Sequence, residues 1–194
     1  MSISLSKNQT ISLAKSGSGL RKVFMGLGWD PVKSGGLFGF LGGGSESIDL
    51  DASVLVYDAN KRLLTTVYFR ELSAYNSAIQ HGGDNLTGDG DGDDERIYID
   101  LSRLPVEAVT LVFTVNSFRG QTFDKVANAS CRLVDNQSGE KEIANISLSS
   151  QGKHTGMIMA KLHKTGSDWE MTMLAVPGQG RTLNDMKSQI VALI

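Results

Sequence analysis

The chain has 194 residues and a formal net charge of −2, with 40% hydrophobic and 21% charged residues. This composition is typical of one soluble globular domain. No run of 18 apolar residues is present and the N-terminus lacks a signal-peptide apolar block, which argues against a membrane-spanning or secreted protein. The single cysteine, Cys131, excludes an internal disulfide and a cysteine-based zinc site. We therefore expect one domain over residues 1–194, located in the cytoplasm.

Short segments of alternating apolar and polar residues, bounded by Gly, Asn, Asp or Ser, run through most of the chain. They predict about ten β-strands and favour a mainly β fold, a two-sheet β-sandwich. Asp58–Arg62 and Lys164–Asp168 are typical of hairpin turns. The predicted strands are Ile3–Leu5, Thr10–Leu13, Ser47–Tyr57, Leu63–Phe69, Ile97–Leu101, Thr110–Phe118, Ala129–Asp135, Ile143–Leu148, Gly156–His163 and Trp169–Val176.

The end of the chain has a helical period instead. Thr182 and Asp185 are spaced as in an N-terminal capping box, and apolar residues then recur every three or four positions. We predict one C-terminal amphipathic helix that packs on a sheet, and the alternative is a helix that binds a partner. The apolar positions are Leu183, Met186, Ile190, Leu193 and Ile194.

Half of the 22 glycines lie in two short segments. Ser34–Ser45 holds six of them, together with the apolar residues Leu37, Phe38, Phe40 and Leu41. His81–Glu95, here called the acidic segment, holds five glycines and six acidic residues but no Lys or Arg. The rest of the chain has 15 acidic and 19 basic residues, a net charge of +4 that is too weak and diffuse to indicate nucleic-acid binding.

The acidic segment has the donor pattern of a calcium site. Asp84, Asn85, Asp89, Asp91 and Asp93 supply oxygen donors, and the glycines between them let the backbone curl so that the donors converge. Ca²⁺ binds six to eight oxygens, whereas zinc, copper and iron sites use more nitrogen or sulfur, and Mg²⁺ keeps more of its waters. The alternative is a solvated acidic turn.

An EF-hand is a second way to read these aspartates. Asp89, Asp91, Asp93 and Asp100 fit its positions 1, 3, 5 and 12. However, Asp94 replaces the glycine required at position 6, and the flanking residues predict strands rather than helices. The sequence therefore favours a metal-binding loop between strands.

A second group of acids lies upstream. Asp49 and Asp51 alternate with apolar residues, so both carboxylates point to one face of a strand, and Asp30 follows a glycine-rich turn. Together with the acidic segment they would supply enough ligands for two calcium ions. The alternative for Asp49 and Asp51 is a solvent-facing edge strand. Because carboxylates protonate in acid, we expect calcium affinity to depend on pH only below about 5.

Several motifs resemble those of the TerD family of tellurium-resistance proteins, and within it the TerZ type. The resemblance covers nearly the whole chain, and its aspartate–glycine loop is specific to the family. The matching segments are SISLSKNQTISL at 2–13, Gly26–Asp30, Ile48–Ser53, His81–Glu95, Leu111–Phe123, Cys131–Asp135 and Met159–Leu162.

This resemblance implies a calcium-binding β-sandwich of the bacterial cytoplasm, linked to resistance to tellurite, other chemical stresses, phages and colicins. It implies partners among other tellurium-resistance proteins, including a membrane-associated complex, without nucleic acid and without a span of its own. The family motifs place the calcium ligands, for two ions, at Asp30, Asp49, Asp51, Asp84, Asn85, Asp89, Asp91, Asp93 and Glu95.

Three classes of function follow from these patterns. The first is a non-enzymatic calcium-binding module whose loops, once ordered by Ca²⁺, control partner binding in a stress response. The second is a calcium-dependent membrane-surface module resembling a C2 domain, which would use Leu37, Phe38, Phe40 and Leu41. The third, a metal-dependent enzyme, is disfavoured because His81, His154 and His163 are scattered and Cys131 is predicted to be buried on a strand. We therefore expect no enzymatic activity.

Overall fold

The computed structural model describes residues 7–15, 19–30, 48–88, 92–137 and 139–194, and these form two antiparallel sheets. Within these ranges there are twelve strands: β1 Thr10–Ser12, β2 Lys22–Asp30, β3 Leu50–Tyr57, β4 Leu63–Val67, β5 Ser73–Ala74, β6 Ile79–His81, β7 Glu95–Asp100, β8 Thr110–Ser117, β9 Ala127–Asp135, β10 Lys141–Ser147, β11 Gly156–Thr165 and β12 Asp168–Gly178.

The first sheet has the strand order β1-β12-β11-β8-β3-β4, and the second has the order β10-β9-β2-β7-β6-β5. All named pairs are antiparallel. Nine of the ten predicted strands are present with small changes at their ends, and Ile3–Leu5 lies outside the described residues. The predicted mainly β, two-sheet sandwich is therefore confirmed.

Alternating side chains place the main core between the sheets. On β3, Leu50, Ala52 and Val54 face the interior, where they join apolar side chains from β2, β7, β8, β9, β11 and β12. Both predicted hairpin turns are present: Lys61 N donates to Asp58 O after β3, and β11 turns into β12. β7 alternates because only one of its faces packs in this core, whereas β3 and β8 are buried on both faces.

Three strands have no counterpart among the sequence predictions: β2, β5 and β6. β2 is buried continuously from Val23 to Trp29, because one of its faces lies in the core and the other is covered by polar side chains. Its burial therefore does not alternate, and Gly26 and Gly28, on the face away from the core, interrupt the pattern on which the prediction depends. β5 and β6 have only two and three residues, which is too short for a periodic signal.

The C-terminal segment packs on the outer face of the first sheet. A 3₁₀ turn, Leu183–Met186, begins with the predicted Thr182–Asp185 capping box and continues into a short helix, α1, Lys187–Val191. Leu183, Met186 and Ile190 are buried against residues of β3, β8, β11 and β12. The apolar stripe of the C-terminal segment therefore packs against the first sheet of the same chain. Across the described ranges, no helix has the length and apolar character needed to span a bilayer.

Candidate metal centre

Three aspartates meet at one end of the sandwich. Asp49 and Asp51 lie at the start of β3, and Asp84 lies in the loop that follows β6. One carboxylate oxygen from each lies within 4.8 Å of the others, and we call these residues the carboxylate cluster. Asp49 and Asp51 are only 4% and 5% exposed, whereas Asp84 is exposed. The alternative of a solvent-facing edge strand for Asp49 and Asp51 is therefore wrong.

Two oxygens of the cluster lack the partners that buried carboxylates need. Asp49 Oδ1 and Asp51 Oδ2 are buried and have no hydrogen-bond partner among the described residues. Arg119 Nε lies 3.6 Å from Asp49 Oδ2, which offsets part of the charge of one residue. Unpaired oxygens of this kind cost free energy unless a proton or a cation joins them. The donor set, made only of carboxylate oxygen, suits a hard divalent cation.

Burial and mutual repulsion raise the pKa values of the cluster. Burial, with the neighbouring charges of Glu95, Asp49 and Asp84, raises the pKa of Asp51 to about 8. Burial and the charge of Asp84 raise the pKa of Asp49, an effect that Arg119 opposes. At neutral pH the cluster therefore holds a proton, and a bound cation would take the place of that proton.

Glu95 lies beside the cluster, at the first position of β7, but its oxygens point to backbone amides. Oε2 accepts a hydrogen bond from Ala52 N at 2.8 Å, and Oε1 accepts one from Asn85 N at 3.4 Å. His81 Nε2 lies 3.5 Å from Oε2, and both side chains are fully buried. Burial raises the pKa of Glu95, and the imidazole and these amides oppose the rise.

The side chain of Asn85 makes hydrogen bonds within the loop between β6 and β7. Its Oδ1 accepts hydrogen bonds from Thr87 N and Gly88 N, both at 3.0 Å, and its Nδ2 donates to Asp94 Oδ1 at 2.9 Å. Asp94 Oδ2 in turn accepts from Trp29 N at 2.8 Å, which fastens the acidic segment to β2. Asp94 is not among the predicted ligands, although it connects Asn85 to β2.

Asp93 is held by two arginines on the outer face of the second sheet. Arg132 on β9 donates to both carboxylate oxygens at 2.8 Å, and Arg96 Nε lies 3.0 Å from Oδ2. Both guanidinium groups also lie over the ring of Phe24: the Cζ of Arg96 is 4.9 Å and the Cζ of Arg132 is 5.6 Å from the ring centroid. A side chain at Gly26 would overlap the Asp93 carboxylate, which explains a glycine in the middle of β2.

The remaining predicted ligands are placed as follows. Asp30, the last residue of β2, accepts a hydrogen bond from Asn128 Nδ2 at 2.7 Å and is not part of the carboxylate cluster. Asp89 and Asp91 lie outside the described residues. β6 and β7 flank the acidic segment, so the EF-hand alternative is wrong.

A surface of aromatic and arginine side chains borders the cluster. Phe69 and Phe118 are in edge-to-face contact with 5.7 Å between ring centroids. Arg70 lies over Phe69 at 5.2 Å, and Arg181 lies over Phe118 at 5.9 Å. Asp51 lines the pocket that these rings and Arg70 surround. We call Phe69, Arg70, Phe118 and Arg181 the aromatic–arginine surface.

The other candidate groups lie elsewhere. Cys131 is buried on β9, as predicted, and burial raises the pKa of its thiol. His163 contacts Thr110 Oγ1 at 2.8 Å, and His154 contacts Gln179 Nε2 at 3.2 Å. Of the three histidines, His81 belongs to the acidic segment, where it lies next to Glu95. Trp29 is buried and donates to Ile48 O, which makes it an anchor of the loop next to Asp49.

Comparisons with known proteins agree with this fold. The TerD domain matches residues 1–189. The chain is 50% identical over 192 residues to tellurium resistance protein TerZ of Serratia marcescens, covering 99% of this chain and 98% of that protein. It is 42% identical to stress response protein SCP2 of Bacillus subtilis (strain 168), covering 98% of this chain and 100% of that protein.

A solved structure supports the fold independently. It is that of a homologue of telluride resistance protein (TerD) from Streptomyces coelicolor A3(2), which superimposes with a TM-score of 0.75 at 19% identity. The match covers 89% of this chain and 98% of that one. Domain match, relatives and fold agree, and the chain belongs to the TerD family of tellurium-resistance and stress-response proteins.

Proposed function

We propose that this protein is a non-enzymatic calcium-binding member of the stress response that acts in the cytoplasm. In this proposal Ca²⁺ binds at the carboxylate cluster, orders the acidic segment and thereby controls the binding of partners, which we expect among other tellurium-resistance proteins. The described residues contribute Asp49, Asp51 and Asp84, and Asp89 and Asp91 are further donors for a second ion.

The observation that carries this proposal is the pair of buried, unpartnered oxygens on Asp49 and Asp51. A cation between them would offset the burial and the mutual repulsion that together raise the pKa of Asp51 to about 8. It would also join the start of β3 to the loop of Asp84, two parts of the chain that belong to different sheets. The residues present therefore fit the calcium ion that the family resemblance implies.

Titration calorimetry of the metal-stripped protein tests the proposal. We expect CaCl₂ to release or absorb heat and to raise the melting temperature, because a ligand that binds only the folded state stabilises it. Asp51→Asn should weaken binding strongly, and Asp168→Asn, at an exposed position in the distant β11–β12 turn, is the matched control. If CaCl₂ causes neither heat nor a melting shift in the wild-type protein, the proposal is refuted.

A calcium-dependent membrane-surface function is the second candidate. Leu86 is 51% exposed and lies two residues from Asp84, so the loop of the carboxylate cluster presents an apolar side chain to solvent. The apolar residues 37, 38, 40 and 41 lie outside the described residues. Sedimentation with anionic phosphatidylserine vesicles at saturating CaCl₂ separates the candidates. A membrane module pellets with calcium and remains in solution with EGTA, and Leu86→Ser should weaken pelleting.

A further inference from the structure

Glu95 links both sides of the carboxylate cluster through the backbone. Its Oε2 accepts from Ala52 N, the amide directly after Asp51, and its Oε1 accepts from Asn85 N, the amide directly after Asp84. Each of these peptide planes includes the carbonyl group of the preceding aspartate. Fixing the plane therefore restrains the backbone of that aspartate, and with it the position of the Cα from which its carboxylate extends.

The backbone at Ala52 needs such a partner. β4 pairs with β3 only from Val54 onward, so no residue of β4 lies opposite Ala52. A buried amide without an acceptor is costly in free energy. Glu95, on β7 of the second sheet, provides that acceptor. Its hydrogen bond therefore joins the first residues of β3 to the other sheet.

The imidazole of His81 lies next to the carboxylate of Glu95. Its Nδ1 accepts a hydrogen bond from Gly83 N at 3.2 Å, so in the neutral imidazole the hydrogen is on Nε2. That N–H group faces Glu95 Oε2 across 3.5 Å, which is longer than a good hydrogen bond but electrostatically favourable to a carboxylate. The two amides thus each use one oxygen of Glu95, and the imidazole lies next to Oε2 without a hydrogen bond to it.

We propose that Glu95 is a positioning residue for the calcium site: it sets Asp51 and Asp84 in their places through the amides of Ala52 and Asn85, and it does not bind the ion itself. This inference rests on the proposed calcium site and departs from the ligand role that the family motif implies for Glu95. It predicts that Glu95 affects how tightly a cation is held but not how many protein oxygens surround it.

Terbium luminescence tests this inference, because Tb³⁺ occupies calcium sites and its lifetimes in H₂O and D₂O give the number of bound waters. Glu95→Gln keeps one acceptor oxygen and turns the other into an amide donor. We expect Tb³⁺ and Ca²⁺ affinity to fall by about 10-fold or more, with the number of waters on bound Tb³⁺ unchanged. Asp51→Ala, which removes both side-chain oxygens, is the matched control and should add about one water per ion.

Each alternative gives a different result. If Glu95→Gln adds a water to bound Tb³⁺, Glu95 is a ligand and the inference is overturned. If the variant binds with wild-type affinity and melts at a lower temperature without metal, Glu95 is merely structural and the inference is again overturned. A wild-type protein that binds neither ion would overturn the calcium site itself.

A second variant covers the case in which Glu95→Gln does not fold. His81→Gln removes the imidazole behind Glu95 and leaves both amide contacts possible. We expect a several-fold loss of Ca²⁺ affinity with unchanged hydration of bound Tb³⁺, and a smaller loss when Asp51→Asn is already present. Equal losses in both backgrounds would contradict a role that acts through Asp51.

Discussion

At the scale of single residues, the oxygen-bearing side chains of one short segment have very different roles. Asp84 joins the carboxylate cluster, Asn85 folds its own loop, and Asp93 pairs with Arg132 and Arg96. Composition and spacing cannot separate these roles, because all of these residues are oxygen donors within a few positions of each other. Their roles depend on contacts with residues of β3, β9 and β2, which are distant in sequence.

The pH dependence of calcium affinity is the first prediction at this scale. Below its pKa of about 8, Asp51 of the metal-free protein is mostly protonated, so Ca²⁺ must displace that proton. Affinity should therefore rise with pH between 6 and 8, by up to about tenfold per pH unit, and level off above 8. The sequence-based expectation of a dependence only below about pH 5 ignores burial, which raises the pKa.

Calorimetry at pH 6, 7, 8 and 9, in buffers of different ionisation enthalpy, measures both the affinity and the proton released. We expect release of close to one proton at pH 7. Asp51→Asn should bind more weakly and with a smaller dependence on pH. An affinity that stays constant from pH 6 to 9 in the wild-type protein would contradict the raised pKa of Asp51.

The Asp93 ion pairs give a prediction about stability. Asp93→Asn leaves Arg132 and Arg96 without the carboxylate that both contact, so we expect the metal-free protein to lose about 1–3 kcal/mol in free energy of unfolding. Asp124→Asn is the control, since its carboxylate accepts from Thr122 Oγ1 at an exposed site. Urea unfolding in EGTA measures both variants, and equal stability of the two would argue against the double ion pair.

At the scale of elements, the sequence predicts strands well where one face meets the core and the other meets solvent. β7 alternates buried and partly exposed residues along its whole length, and most of it, Ile97–Asp100, falls in the predicted strand Ile97–Leu101. β2 escapes prediction because Gly26 and Gly28 interrupt its apolar pattern. Those glycines are required by the acidic segment that packs on them, with Asp93 over Gly26 and Gly92 over Gly28.

The same limit applies to the candidate site. Asp49, Asp51 and Asp84 could be predicted as one group, because alternation places the first two on one face and the glycines mark a loop. The contacts of Asp93 could not, since Arg132 is 39 residues away in sequence and no local pattern connects them. Likewise, Ala52 and Asn85 contact Glu95 through their backbone amides, and such contacts have no signature in the sequence.

The C-terminal helix allows a matched test of packing. Ile190 is fully buried and its neighbour Val191 is 39% exposed, although both lie on α1. Ile190→Ala should lower the free energy of unfolding by about 2–4 kcal/mol, because it leaves a cavity on the outer face of the first sheet. Val191→Ala should change it by less than about 0.5 kcal/mol. Similar small effects in urea unfolding would indicate that the helix is detached in solution.

At the scale of the whole molecule, the carboxylate cluster lies beside the aromatic–arginine surface at one end of the sandwich. Two bound calcium ions would change the formal net charge from −2 to +2, and the change would occur beside the aromatic–arginine surface. Aromatic and arginine residues are enriched in protein interfaces. The proposed function therefore places the calcium switch and the partner surface next to each other.

Partner capture tests this arrangement. From tellurite-stressed cells, the tagged wild-type protein should retain other tellurium-resistance proteins in CaCl₂ and lose them in EGTA. Phe118→Ser/Arg70→Ser, which changes the aromatic–arginine surface but none of the carboxylate cluster, should lose partners while binding Ca²⁺ normally. Capture that is the same with CaCl₂ and with EGTA would contradict calcium control.

The calcium site itself is tested most directly by a crystal structure of the protein grown in CaCl₂, with anomalous scattering used to identify the ion. We predict a calcium ion within about 2.3–2.6 Å of carboxylate oxygens of Asp49, Asp51 and Asp84. In the same map, Glu95 should still accept from Ala52 N and Asn85 N and lie outside the coordination sphere. A cluster that holds no calcium at saturating concentration, or an ion bound at a different place, would contradict the proposed site.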